Sequence, residues 1–447
     1  MKISEHLRRC ILCACLLLVW LFPFWSAAED AKKPLSLEAS IQLAIRANLA
    51  MKQSREEISA AQANKNVSRS NFLPTLSATY SYTHRDKEQT QELTGTSFDI
   101  VVRPQDEYAF ITSFKQPIFT GFALINQYKI ASLGLDAAEI KAKLTRQDVI
   151  LDAKNAYYSV LKAQKLLEVS KQTVDQITAR KEVSENFYQV GMSPLNDLLQ
   201  AQVELANAKQ DLIVAQNNLD IAKSQFNLVL RRPVNRPVKL EDIVDYTPFD
   251  KDIDYCLSQA NQHRLEIYVA NLEVEIAEKE VDLAQQDYYP SIDLTGSITQ
   301  LGDDWRTDGG EGISDSYSWN VQATATWNFW EWGRTTYGIK EKLSRHSQSK
   351  YRRSQILDNI NLEVKQAYLR TKESEKNITT NEKAIEQAKE NYRITEERYK
   401  EQVATSTDLL TAQVLLTRTM TNYFTALYDF KIAKATLFRA MGQEVME

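Results

Sequence analysis

The sequence predicts a mainly α chain carrying a small set of β-strands, built from two tandem copies of one unit: helix, strand pair, long helix, helix. Three observations predict it. Residues 149–230 and 360–441 align at a constant offset of 211. Ala156-Tyr157 falls on Ala367-Tyr368, Tyr188 on Tyr399, and Asp197-Leu198-Leu199 on Asp408-Leu409-Leu410. The 10 prolines leave 118–193, 195–232 and 291–447 free, and there are only 12 glycines, so very long helices are permitted. Between these stretches the apolar period changes from the helical 3.6 to 2.

The elements follow in order. Ser36 is placed to cap a helix over 36–70, with Leu37, Ile41, Ala44, Ile45 and Leu49 on one face. After Pro74, residues 75–83 alternate Leu76, Ala78, Tyr80 and Tyr82 with Ser and Thr. A polar loop over 84–106 leads to a second strand at about 108–118. Residues 122–190 contain no proline and read as one helix of about 100 Å. A helix about half as long follows at 194–229. The second copy reads as helix 252–287, strands about 291–299 and 317–329, long helix 333–401 and short helix 406–440. Two short helices end to end would match the long one beside them. Between the copies, 231–251 is a proline-rich connector expected on the outside of the helical shaft.

The strands point to a membrane. Ile292, Leu294, Gly296 and Ile298 alternate with polar residues, as do Trp319, Val321, Ala323, Ala325, Trp327 and Phe329. Such segments mark transmembrane β-barrel strands, and tryptophans clustered in 305–332 fit an interfacial girdle. Four strands are too few to close a barrel, which takes about eight or more. Open strand edges in lipid cost several kcal/mol per unpaired backbone group. The same alternation also fits an ordinary half-buried antiparallel sheet; if the strands span a membrane, several chains must share one barrel, and three chains would supply twelve strands.

The remaining features bound the function class. Lys2, Arg8 and Arg9, the apolar run Ile11 to Trp25 and Ser26-Ala27-Ala28 read as a signal peptide over 1–28, with Glu29 as the mature start. Cys13 and Cys15 precede most of that apolar run, the wrong order for lipidation. The mature chain would keep one cysteine, Cys256, which excludes a disulfide framework. His84, His263 and His346 show no ligand spacing. The acidic balance, −5 over the whole chain, disfavours nucleic acid as a partner. No nucleophile–base pair, phosphate loop or metal cluster is legible, so neither an enzyme nor a cofactor is expected.

The order of motifs resembles the TolC-like outer membrane efflux protein family over 36–441. The resemblance rests on Asp-Leu-Leu-x-Ala-Gln at 197–202 and 408–413, on the hairpin Phe187-Tyr188-Gln189-Val190-Gly191-Met192-Ser193-Pro194, and on Trp330-Glu331-Trp332-Gly333-Arg334. It implies a homotrimer with a 12-stranded β-barrel continuous with a 12-helix α-barrel tunnel. It implies an exit duct in the outer membrane of a Gram-negative bacterium, serving a tripartite efflux pump or type I secretion system. The partners would be a periplasmic adaptor, an inner-membrane pump and outer membrane lipid. Two repeats are implied, 29–230 and 252–447. The hairpin tips Gly191, Met192 and Ser193, with Ala404 and Thr405, are candidates for adaptor docking. The second tip, Gln402-Val403-Ala404-Thr405, lacks the glycine. Asp408 matches an acidic ring position at the tunnel entrance, weakened by Thr411 where some relatives have a second acid. Asp197 and Tyr399 match positions that hold the entrance closed. The competing class is a non-conducting envelope tether or coiled-coil surface fibre.

Overall fold

The computed structural model describes residues 34–92, 95, 99–243 and 245–444, so the expected signal peptide lies outside the described residues. The chain is mostly helical, with strands gathered at one place. The first half runs α1 (Leu37–Ala47), α2 (Leu49–Ser70), β1 (Thr75–His84), β2 (Gln89–Glu92), β3 (Asp99–Arg103), β4 (Asp106–Thr120), α3 (Ala123–Gln189) and α4 (Leu195–Val229). The second half runs α5 (Ile253–His263), α6 (Leu265–Ala284), a 3-10 turn (Gln285–Tyr288), β5 (Ser291–Gly302), β6 (Tyr317–Thr326), α7 (Arg334–Lys400) and α8 (Ser406–Ala440).

Four local readings differ from the sequence expectation. The helix expected over 36–70 is broken at Asn48, whose backbone is extended and whose side chain accepts from the Ala50 N–H at 2.7 Å. The helix expected over 252–287 is broken at Arg264 in the same extended conformation. There the guanidinium turns inward to Glu266 and Glu363, each at 2.8 Å, and to the Ala440 carbonyl at 3.2 Å. Neither break contains proline or glycine, which is why helical periodicity passes through both. The loop expected over 84–106 holds the β2–β3 hairpin, and β6 ends at Thr326, leaving Trp327 to Trp332 beyond the strand.

β1, β4, β5 and β6 form one antiparallel sheet in that order. Its register puts Leu76 beside Phe114, Phe114 beside Gly296, and Gly296 beside Val321. Tyr80, Phe110, Ile298 and Trp319 share that face, because side chains alternate along each strand. The opposite face carries Ser77, Ser113, Ser297 and Asn320. Hydroxyls of Ser77 and Ser113 meet at 2.8 Å, and Ser297 donates to Asn320 Oδ1 at 3.3 Å. One face is apolar and the other polar, and β1 and β6 each keep a free edge.

Among the helices α3 is central, packing against α1, α2, α4, α6 and α8, while α8 packs on α7. This leaves α4 and α7 at the two margins. At 67 residues each, α3 and α7 extend about 100 Å at 1.5 Å per residue. The core sits where the connector crosses the shaft. Ile41, Tyr157, Val160, Leu161, Phe226, Leu427 and Phe430 are buried together there. Tyr157 is the tie: its hydroxyl lies 3.1 Å from the Leu35 carbonyl and 2.8 Å from that of Glu241, joining both flanking segments to α3. Burial pushes its phenol well above the usual range, so it stays a donor. Tyr157→Phe is expected to destabilise the fold by about 1–3 kcal/mol, since the Glu241 carbonyl loses this donor and the Leu35 carbonyl is left with the Glu241 N–H at 3.2 Å. The midpoint of urea unfolding, followed by helical circular dichroism, checks this.

Candidate functional site

Along its lower half α3 meets α8 and the end of α7 through polar side chains. Lys162 pairs with Asp429 at 2.9 Å, and the hydroxyls of Thr173 and Thr417 meet at 3.1 Å. Gln413 donates to Gln176 at 2.6 Å. Arg180 donates to the Ser406 carbonyl at 3.0 Å and to its hydroxyl at 2.8 Å. Ser184 and Tyr399 share a hydrogen bond at 3.1 Å, with the Phe187 ring beside Tyr399. The two antiparallel helix pairs, α3–α4 and α7–α8, are thus joined by a ladder of hydrogen bonds that continues from the apolar core where α3 packs on α8. Each rung contributes about 0.5–1.5 kcal/mol, more where a charge is involved.

Arg180 is the most unusual member. It is only 7% exposed, and two of its nitrogens, Nε and Nη1, have no hydrogen-bond partner among the described residues. Burial lowers its pKa, opposed by Tyr399, Glu204, Tyr392 and Asp197. The candidate lock residues Asp197 and Tyr399 therefore both lie within the electrostatic reach of Arg180. Tyr399 is buried, and its hydroxyl goes to Ser184. Asp197 stands in the first turn of α4, where its backbone N–H donates to the Pro194 carbonyl at 3.1 Å. The sequence reading did not single out Arg180, Ser184 or Ser406. Its available signal was spacing: Ile177, Arg180 and Ser184 recur at three and four residues, placing a cation and a hydroxyl on a buried helical stripe.

Asp408 has local partners. Its carboxylate accepts from the Thr405 N–H at 2.9 Å and hydroxyl at 2.7 Å, while Thr405 accepts from the Asp408 N–H at 3.1 Å. This capping box starts α8. These bonds hold the carboxyl below its usual range. Its stabilising contribution is present above the unfolded pKa and is lost as pH falls through the folded one.

The two helix-hairpin tips adopt one geometry. Met192 N–H reaches the Phe187 carbonyl at 2.8 Å, and Val403 N–H reaches that of Arg398 at 2.8 Å. Gly191 has φ 78° and Gln402, its counterpart at the 211 offset, φ 61°. The missing glycine changes the strain of the second tip, not its shape. Met192 and Val403 are exposed at corresponding places, and the first tip adds exposed Val190, where the second has Glu401. Ser193 is half-buried, and Ala404 precedes the Thr405 cap.

Among the described residues no group of three His, Cys, Asp or Glu side chains is arranged to hold a metal ion. No described helix is long and apolar enough to cross a membrane. The apolar sheet face is the feature suited to lipid.

Comparison with known proteins agrees with this architecture. The chain is 25% identical over 233 residues to outer membrane protein TolC of Escherichia coli, a match spanning 48% of this chain and 47% of TolC. A TolC of Vibrio cholerae is 22% identical over 241 residues, covering 51% of this chain and 50% of the relative. These matches span about half the length of those relatives. The fold is shared with the Campylobacter jejuni CmeC outer membrane channel, at a TM-score of 0.79, 16% identity, and coverage of 91% of this chain and 85% of CmeC. It is shared equally with VceC of Vibrio cholerae, at a TM-score of 0.78, 18% identity, and coverage of 91% and 96%. The family described as outer membrane efflux protein matches residues 40–230 and 256–443, and on that extent the chain belongs to the outer membrane efflux protein family.

Proposed function

We propose that three copies of this chain form an outer membrane exit duct, passing substrates from an inner-membrane transporter through a periplasmic tunnel to the exterior. The observation that carries the reading is the sheet: apolar on one face, polar on the other, with free edges on β1 and β6. In lipid those edges need partners, and the β6 edge of one copy meeting the β1 edge of the next closes twelve strands. The helical margins support the same assembly. α4 exposes Leu199, Val203, Ile213, Val214, Ile221 and Leu228, a stripe that another copy would cover. A tether or surface fibre would use the helices but has no need of a two-faced sheet.

Within that duct the hairpin tips Gly191, Met192, Ser193, Ala404 and Thr405 dock a periplasmic adaptor, and the polar ladder above them acts as the lock. Hydrogen bonds of modest worth suit a contact that docking must undo. Tyr399 and Asp197, grouped around Arg180, hold the two helix pairs together. Asp408, repeated around a threefold axis, places negative charge at the entrance and favours cations. The test is single-channel conductance of the purified trimer in planar bilayers. Wild type is expected to pass a small current, and Tyr399→Phe combined with Asp408→Ala a several-fold larger one with weaker cation preference. A trimer silent in both forms would sink the duct reading. Crosslinking from Met192→Cys to a periplasmic protein tests the docking tip separately.

A further inference from the structure

The two helix pairs of one chain match end for end. α3 and α7 have 67 residues each and start and finish 211 positions apart, and the 35-residue α4 and α8 do the same. Across the lower shaft they lie in the order α4, α3, α8, α7, short beside long twice. The seam where α3 meets α8 is therefore also the relation in which α7 of one copy would meet α4 of the next.

Moving each rung of the inner seam by 211 residues names the groups that would face each other there. Gln176 and Gln413, bonded at 2.6 Å, fall on Gln387 and Gln202. Ser184 and Tyr399, bonded at 3.1 Å, fall on Thr395 and Tyr188. Amide again faces amide, and hydroxyl again faces phenol. The other rungs change: Thr173 and Thr417 become Ala384 and Ala206, Lys162 and Asp429 become Glu373 and Asn218, and Arg180 and Ser406 become Asn391 and Leu195.

Exposure differs in the direction an uncovered seam requires. Gln413 is 3% exposed and Tyr399 6%, whereas Gln202 is exposed and Tyr188 is 42% exposed. Among the described residues Gln202, Gln387, Tyr188 and Thr395 have no side-chain hydrogen-bond partner, although their counterparts do. Duplication alone would preserve such residues on a solvated face. It does not explain why apolar Leu199 and Val203 stand uncovered beside Gln202, since contiguous exposed apolar surface marks an interaction site.

We propose that the lock is repeated between copies: Gln387 of one copy pairs with Gln202 of the next, and Thr395 with Tyr188 of the next. This rests on three copies closing into the duct proposed above. The ring then has six latched seams, three within chains and three between them. Those between chains keep two neutral rungs and lack the buried cation that Arg180 supplies within a chain.

The test is cysteine crosslinking of the purified full-length protein in detergent with a short bis-maleimide, read on a denaturing gel. Gln202→Cys combined with Gln387→Cys, and separately Tyr188→Cys combined with Thr395→Cys, are expected to give covalent dimers and trimers. Gln176→Cys combined with Gln413→Cys, the counterpart within one chain, is expected to stay at the size of one chain. Gln202→Cys combined with Thr380→Cys, two helical turns or about 11 Å out of register, is expected to crosslink about tenfold less. Covalent oligomers from either in-register pair support the latch between copies. A trimer seen by light scattering that gives none from both pairs overturns it and leaves the duct reading standing. Equal yield from the shifted pair or from the within-chain pair overturns it as well. A wild-type protein that stays monomeric overturns both readings.

Discussion

Asn320→Pro is expected to leave the helices folded and abolish assembly. Asn320 lies in the middle of β6, paired with Ser297 of β5, and β6 is a free edge of the sheet. Proline removes one backbone donor and constrains φ, which a strand interior does not tolerate. The lost donor serves either the existing pairing with β5 or the pairing with the next copy. In water such a loss is partly repaired by solvent. In hydrocarbon each orphaned group costs several kcal/mol, and the disturbed pairing recurs in every copy. Light scattering after size exclusion in detergent should show the loss of the proposed trimer, while circular dichroism keeps its helical intensity. A proline variant that still assembles in wild-type yield would contradict edge pairing through β6. The substitution separates the two halves of the structure because the helical core lies far from the sheet. Tyr157, Phe226 and Phe430 have no part in the strand ladder.

Gly121→Ala should be the most damaging single-methyl change at the junction of sheet and shaft. Gly121 has φ 58°, and a Cβ there would lie 2.4 Å from the Gln286 carbonyl oxygen. That oxygen belongs to backbone and cannot swing aside. The left-handed conformation costs about 1–3 kcal/mol for a non-glycine residue, and overpacking adds about 1–3 kcal/mol more. Gly191→Asn is the matched comparison. Gly191 also has positive φ, 78°, but a Cβ there meets nothing within 4 Å. Its counterpart Gln402 already holds that conformation, so the expected cost is about 1 kcal/mol. Urea unfolding midpoints of the two variants decide the matter; equal losses would refute the backbone-contact argument. The counterpart of Gly121 at the same offset is Trp332, with φ 53° and its side chain exposed. The two copies therefore share the turn and differ in what approaches it.

These positions show how far the sequence could be read. Proline-free stretches predicted the long helices within a residue or two, because a helix interior excludes proline for a local reason. Strand alternation was equally legible, since the pleat assigns faces by parity alone. The kinks at Asn48 and Arg264 were not. Asn48 breaks its helix with a side-chain cap two residues on, a role asparagine plays without any change in apolar period. Arg264 breaks its helix because its guanidinium finds Glu363 and the Ala440 carbonyl, groups brought to it by the fold. The β2–β3 hairpin was hidden for a different reason. Gln89–Glu92 is polar throughout and exposed, so no apolar alternation announces it.

The candidate site divides along the same line. Asp408 and Thr405 are three residues apart, and their capping box is a local event that sequence spacing can show. Tyr399 was recognisable as a residue of interest, but its partner Ser184 is 215 positions away. Arg180 reaches Ser406 across 226 positions. The sequence by itself determined the length of the unbroken helices, strand parity, the order of the main elements and the hairpin turns, because each depends on neighbours along the chain. The tertiary structure alone decided which polar groups meet across the seam and which glycine is irreplaceable. Those outcomes depend on how two helices about 100 Å long lie against each other, and a shift of one turn, about 5.4 Å, would exchange every partner.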